Sequence, residues 1–371
     1  MKVLSIFGTR PEAIKMAPVV RALQQHPSAF TSVVCVTAQH RQMLDQVLAL
    51  FALQPDYDLD LMQNEQTLAQ LTANVLTQLD AVLLKEQPDW VLVQGDTTTA
   101  MAAALAAFYR RIKVAHVEAG LRTGDKSQPF PEEINRRFAD ALADLHFAPT
   151  DVARAHLLRE GIPATNISVT GNTVIDALLD VAARPYDWHA GELAQVPLDK
   201  RLLLVTAHRR ENFGAPLANI CTALLTIAAR FPDVQLVYPV HLNPNVQRAV
   251  NKHLRGVPNI TLLPPLEYLP LVQLLKQSYL VLTDSGGLQE EAPGLGKPVL
   301  VLREVTERPE GVTAGTVKVI GTDRERIVLE TTRLLTEPAE YARMAQAVNP
   351  YGDGQASARI VESLRKAALA G

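Results

Sequence analysis

Two cysteines in 371 residues cannot build a disulfide framework. Cys35 stands in an apolar strand-like run and Cys221 in a helical one, and both read as small core residues. No apolar run approaches the roughly 20 residues needed to cross a bilayer, so no membrane partner is expected. The chain starts directly on a strand-like stretch, 2–7, without the apolar core of a signal peptide, and a cytoplasmic location is expected. The histidines show no metal-ligand spacing, so no metal is expected. The GxGxxG fingerprint is missing, which argues against a nicotinamide, and no cofactor is expected. Neither sign of charge dominates: 36 Lys and Arg stand against 39 Asp and Glu. A nucleic-acid footprint or a polybasic membrane patch is thereby excluded. Repeats and low-complexity tracts are absent.

What is present suits a globular protein of about two domains, with 47% hydrophobic and 20% charged residues. Short β-rich runs alternate with helical periodicity almost throughout, which predicts parallel sheets covered on both faces. Strands are expected at 2–7, 31–37, 89–94, 112–117, 144–148 and 166–170, then at 201–206, 233–239, 259–263, 279–283, 298–303 and 316–320. Between 184 and 200 the pattern lapses into Pro-, Gly- and Asp-bearing sequence. The expectation is α/β: two doubly wound Rossmann-like domains, 1–184 and 185–355, facing a central cleft. A last helix, 356–370, is free to pack back on the first. Such sheets bind ligands at the carboxyl ends of their strands.

The strand-end loops carry the polar chemistry. After strand 279–283 come Asp284, Ser285, Gly286 and Gly287, opening a helix. Free backbone N–H groups, the helix dipole, a hydroxyl at Ser285 and two absent β-carbons suit a phosphate. Glu291, a turn later, can accept from a ribose diol, and Arg308 can pair with a diphosphate. An ordinary capped turn is the plain alternative; the acid and the arginine tip the reading toward a nucleotide grip. In the other half, Arg10 lies at the first strand–helix junction and Lys15 a turn later. Asp96 follows the strand ending at Gln94, where a helix cap is as good a reading as catalysis. Glu118 stands where a buried strand emerges, a setting that raises a carboxyl pKa. Pro131 reads as a first helical residue, and Glu132 beside it reads from position alone as a partner of the helix dipole. His208, with Arg209 and Arg210, gives a titratable donor beside fixed positive charge.

The stretches FGTRPEAIKMAP (7–18), TAQHRQMLDQV (37–47), GDTTTA (95–100), HVEAGLRTGD (116–125), PFPEEINRR (129–137), TGNTVID (170–176), AHRRENFG (207–214), YPVHLNPNV (238–246), TDSGGLQEEAP (283–293) and NPYGDGQAS (349–357) resemble the non-hydrolysing UDP-N-acetylglucosamine 2-epimerases. The likeness runs through essentially the whole chain. It implies a fold of the glycosyltransferase-B type, a homodimer, and interconversion of UDP-GlcNAc with UDP-ManNAc for surface polysaccharides. By the same likeness Asp96, Glu118 and Glu132 match catalytic carboxylates, and His208 matches the histidine near the diphosphate. Arg10, Lys15, Ser285, Gly286, Gly287, Glu291 and Arg308 match substrate contacts. Leu266 and Leu271 fall in the loop associated with uridine, where relatives often carry glutamine and an aromatic; backbone contacts there would leave the difference harmless. Gln39, His40, Gln42, Arg209 and His241 match positions tied in some relatives to a second, activating UDP-GlcNAc.

The chemistry fits these residue types. The C2 hydrogen of the sugar has no carbonyl neighbour, so direct deprotonation would leave an unstabilised carbanion. Expelling UDP from C1 while a carboxylate takes the C2 proton avoids that, and re-addition from the other face inverts C2. The residue types alone assign no acid to either face. A hydrolysing epimerase, a glycosyltransferase using the same donor and a UDP-sugar sensor are the alternatives.

Overall fold

The structure, a computed structural model, describes residues 1–37, 41–61 and 66–370, with the side chains of 41, 42, 369 and 370 outside the description. It divides into two units, Met1–Ala177 with the tail from Tyr351, and Leu178–Pro350. Each is built on one all-parallel sheet with helices between successive strands, a Rossmann-like arrangement.

In the first unit the strands are β1 Lys2–Phe7, β2 Thr31–Val36, β3 Tyr57–Asp58, β4 Trp90–Gln94, β5 Lys113–Val117, β6 Leu145–Ala148 and β7 Ile167–Val169. They lie in the order β3-β2-β1-β4-β5-β6-β7. Burial on both faces explains why β1, β2 and β4 read as near-continuous apolar runs rather than alternating ones. The two-residue β3 carries too little pattern to be expected from sequence. The core beneath the sheet gathers Leu4, Ile6, Val91 and Val93 with the alanine-rich helix Thr98–Tyr109.

The second unit holds β8 Arg201–Thr206, β9 Val234–Pro239, β10 Ile260–Leu263, β11 Ser278–Thr283, β12 Val299–Val301 and β13 Val317–Val319, ordered β10-β9-β8-β11-β12-β13. Its core joins Leu203, Val205, Leu236, Leu280 and Leu282 to the helix Ala215–Arg230. Both cysteines are buried and unbridged. Among the described residues no helix is long and apolar enough to cross a membrane.

The tail helix Ala356–Ala370 packs on the helix Arg10–Gln24 of the first unit. Asp176 caps it, its two oxygens accepting from the backbone of Ala356 at 3.2 Å and Ser357 at 2.8 Å. The chain crosses itself there: a β-carbon on Gly171, at φ +87°, would stand 3.2 Å from Gly352 Cα. Two of the motifs singled out in the sequence, 170–176 and 349–357, thus serve one junction.

Candidate active site

Each sheet has a single point where strand order reverses, between β1 and β4 in the first unit and between β8 and β11 in the second. Loops leaving such a point diverge to opposite faces and open a crevice. Arg10, Asp96, Glu118, Glu132, His208, Ser285 and Arg308 lie on these loops, on those of the adjoining strands, or at the helix starts they lead into, whereas Leu266 and Leu271 follow the edge strand β10.

In the first unit, β1 turns at Gly8 into the helix Arg10–Gln24, which Arg10 opens half-buried. A β-carbon on Gly8 would fall 2.0 Å from Thr37 Oγ1, so glycine is required by close approach. Thr9 caps the helix and Glu12 closes a capping box, accepting from Gly8 N at 3.0 Å and Thr9 N at 2.7 Å. The other oxygen of Glu12 accepts from Thr97 Oγ1 at 2.6 Å, tying the β1 loop to the β4 loop. Burial pushes the Glu12 carboxyl above its usual range, against the pull of those donors.

The helix after β4 is capped by Thr97, whose hydroxyl accepts from Ala100 N at 3.0 Å; Asp96 is not the cap. Its carboxylate instead meets the Arg136 guanidinium, and Asn135 donates to its backbone carbonyl at 3.0 Å. Both partners come from the helix Glu132–Leu142. Pro131 is the N-cap of that helix rather than its first residue. Glu132 opens the helix half-buried, with no hydrogen bond or ion pair among the described residues, while Glu133 is fully buried and accepts from Thr123 N and Gly124 N. The two adjacent acids therefore differ in kind: one clasps a loop, the other has an unengaged carboxylate.

Glu118 directly follows β5, 7% exposed, with φ at +67°. A residue with a β-carbon there costs about 1–2 kcal/mol, which the surroundings must offset. Lys15 Nζ lies 2.5 Å from its Oε2, and the Gln94 amide donates to the same oxygen. Beneath this loop His116 is fully buried, with Nδ1 2.6 Å from Asp140 and Nε2 2.7 Å from the Gly95 carbonyl. Both neighbours only accept, so both ring nitrogens carry protons and the ring is an imidazolium. Burial pulls its pKa down, but the charge and hydrogen bonds of Asp140 and Gly95 win and it ends raised. Asp140, pushed up by burial, ends lowered by His116 and Arg122. Arg122 also holds Glu160 through two bonds, at 2.8 and 2.7 Å.

In the second unit Asp284, with no exposed surface, organises the β8 loop. One oxygen accepts from His208 N at 2.7 Å, Arg209 N at 2.8 Å and Asn212 Nδ2 at 3.0 Å. Its other oxygen lies 3.5 Å from His208 Nδ1. The His208 ring stacks on His241 with centroids 5.2 Å apart. Burial lowers the His208 pKa, against the pull of Asp284, and His241 and Arg209 lower it further. His241 Nδ1 accepts from Asn243 N at 3.0 Å, which leaves the proton of the neutral ring on Nε2.

Ser285 is the N-cap of the helix Gly286–Gly294, but its hydroxyl makes no capping bond. Neither Gly286 nor Gly287 has positive φ, and added β-carbons would have ordinary contacts, at 3.7 and 4.0 Å. Backbone strain and packing therefore do not require glycine at either position; what the missing atoms leave is an open first turn. Glu291 accepts from Tyr268 OH at 2.8 Å, and the Arg308 guanidinium is engaged by Glu290. Leu266 is buried and makes no backbone hydrogen bond among the described residues. The Leu271 N–H is already spent on Glu267 O at 3.1 Å, inside the helix Tyr268–Gln277. Gln39 and His40 lie outside the described residues, as does the side chain of Gln42.

Gln94, Asp140, Arg136, Asp284, Asn212, Tyr268 and Glu290 join these networks without being site candidates from the sequence. For two of them a signal was present: Gln94 and Asp284 are polar residues at the carboxyl ends of apolar strands. Arg136, Asp140 and Glu290 sit inside helices, where a polar residue reads as a solvated face, while Asn212 closes a three-residue 3-10 turn and Tyr268 opens a helix. Among the described residues no group of three or more His, Cys, Asp or Glu is placed to hold a metal ion.

The family model for UDP-N-acetylglucosamine 2-epimerase matches residues 21–365. The UDP-N-acetylglucosamine 2-epimerase of Salmonella typhimurium is 58% identical over 371 residues, 98% of each chain. The crystal structure of the Neisseria meningitidis UDP-GlcNAc 2-epimerase, bound to UDP-GlcNAc, superposes with a TM-score of 0.89 at 50% identity, covering 99% of this chain and 100% of that one. An S. aureus protein solved with UDP gives 0.87 at 49% identity, over 99% and 96%. With a family model spanning nearly its whole length and a relative this similar from end to end, the chain belongs to the UDP-N-acetylglucosamine 2-epimerase family, a family of isomerases.

Proposed function

We propose that this protein interconverts UDP-GlcNAc and UDP-ManNAc without hydrolysis. The C1–O bond breaks with its electron pair leaving on UDP. A carboxylate takes the C2 proton, and the C2–H pair becomes the C1=C2 bond of a glycal. Return of a proton to the opposite face of C2 and of the UDP oxygen to C1 completes the inversion. Asp96, Glu118 and Glu132 serve as the acids and bases, and Arg10 and Lys15 contact the nucleotide sugar. The open first turn at Ser285, Gly286 and Gly287 takes the diphosphate, with Arg308 beside it and His208 assisting departure. Glu291 takes the ribose, and the stretch bearing Leu266 and Leu271 meets uracil. Arg209 and His241, with Gln39, His40 and Gln42, are assigned to a second, activating UDP-GlcNAc. The protein works as a cytoplasmic homodimer and supplies ManNAc for surface polysaccharide.

The observation that carries this reading is the state of Glu118. One of its oxygens is held by an ammonium and an amide, while the other accepts no hydrogen bond among the described residues. A carboxylate with one oxygen held and the other open suits a proton-transfer role, and UDP-GlcNAc is the ligand bound by the Neisseria relative.

NMR of UDP-GlcNAc with the protein alone in D₂O is the test. The expected result is an equilibrium mixture containing UDP-ManNAc, with deuterium at C2 of both sugars. Protium retained at C2 would sink the elimination, and steady stoichiometric release of UDP would make the enzyme a hydrolase. Sedimentation velocity checks the dimer.

A further inference from the structure

Glu118 is held from outside its own loop. Gln94 is the last residue of β4, 2% exposed, and lies in register with Val117, the residue before Glu118. From there its amide reaches Glu118 Oε2, the oxygen that Lys15 approaches at 2.5 Å from the helix after β1. Two donors from separate elements meeting on one oxygen fix its place. The backbone of Glu118, at φ +67°, fixes the other end of the side chain, so the position of Oε1 follows. Oε1 accepts nothing among the described residues, and it is not one of the sealed, unpartnered polar atoms.

Building on the elimination proposed above, we infer that Gln94 is a positioning residue for proton transfer at C2, and that it presents Glu118 Oε1 as the atom that exchanges the proton. The amide suits this task for a chemical reason. It donates without carrying charge and does not itself titrate, so it can orient the carboxylate throughout a proton transfer. Neither donor competes for Oε1.

The test compares wild type with Gln94→Met, which keeps chain length and volume but removes the donor. UDP-GlcNAc carrying protium or deuterium at C2 is the substrate. Misplacing a reacting atom by about 1 Å costs on the order of 10²-fold in rate, so kcat is expected to fall about that far while KM stays within roughly threefold. The isotope effect on kcat is expected to rise, because proton transfer becomes the slower step. That ratio is set per turnover and does not depend on how much protein is folded. Gln94→Leu repeats the measurement in a second packing context. A lower kcat with an unchanged isotope effect, or wild-type kinetics in both variants, overturns the role of Gln94 alone, provided the wild type exchanges C2 hydrogen with solvent. Failure of both variants to fold makes Gln94 structural and overturns it as well. A wild type that turns over without that exchange overturns the elimination and this inference together.

Discussion

His116 and Asp140 meet at 2.6 Å in the interior of the first unit, and the other nitrogen of the ring holds the Gly95 carbonyl at 2.7 Å. Through Gly95 the pair braces the loop bearing Asp96, and through the Gly120 N–H, 3.2 Å from Asp140, it braces the loop bearing Glu118. Two candidate acids thus rest on one buried ion pair.

Its pH dependence has a defined sign. The folded imidazolium holds its proton more tightly than the unfolded chain, so its contribution is complete below about pH 6.5 and is lost as pH rises through the raised folded value. Asp140, held below its usual 3.8, keeps its contribution above that value and loses it as pH falls through the depressed one. Removing one partner of a buried pair costs about 3–5 kcal/mol. His116→Gln should therefore lose that much near pH 6 in denaturant titrations, and less above the raised pKa. A gap that widens toward alkaline pH would contradict the imidazolium assignment.

Glu118→Gln removes the exchangeable charge and keeps the shape. Turnover is expected to fall by about 10²–10⁴, with UDP-GlcNAc affinity by calorimetry within a few-fold. Full activity in this variant removes Glu118 from the chemistry.

The glycines at the start of the helix after β11 separate a phosphate grip from an ordinary turn. Gly286→Ala and Gly287→Ala meet only ordinary contacts and no strained φ, so the free protein should be unharmed or up to ~1 kcal/mol more stable. UDP affinity should nonetheless drop at least about tenfold, since roughly 1.4 kcal/mol of lost contact suffices. Unchanged affinity in both would remove the grip. Gly120→Ala is the contrast: at φ +86° its β-carbon would lie 2.4 Å from Ala153 O, and a clear loss of stability is expected in thermal melts.

Asp284→Ala leaves three donors without their acceptor. At about 1–3 kcal/mol for each buried donor left unsatisfied, and more than one of them able to find water, a loss near 3 kcal/mol is expected. UDP binding should weaken with it, because the backbone of His208 and Arg209 loses its anchor. Asp284→Asn, which keeps one acceptor oxygen, should lie between. Stability and binding equal to wild type would show that the loop is held by something else.

Much of this was legible beforehand. Twelve of the strands were expected within a residue or two of where they lie, because buried parallel strands leave apolar runs that turn chemistry interrupts. The loops bearing Asp96, Glu118, His208 and Ser285 could be read as strand ends for the same reason. The Thr97 cap was missed because Asp and Thr stand side by side and both cap well. Likewise, nothing in the run Glu290-Glu291 says that one acid will engage Arg308 and the other Tyr268; helical spacing alone turns them to different neighbours.

By itself the sequence determined the alternation of strands and helices, the polar loops at strand ends, and through its motifs the family. The tertiary structure decided which of those groups touch. Lys15 and Glu118 lie 103 residues apart, and Gln94 and Glu118 lie 24 apart. Periodicity reports how deeply a residue is buried and not beside whom; strand order is what sets β1, β4 and β5 next to one another. The physical state of Glu118, with one oxygen held and the other open, is a consequence of that order.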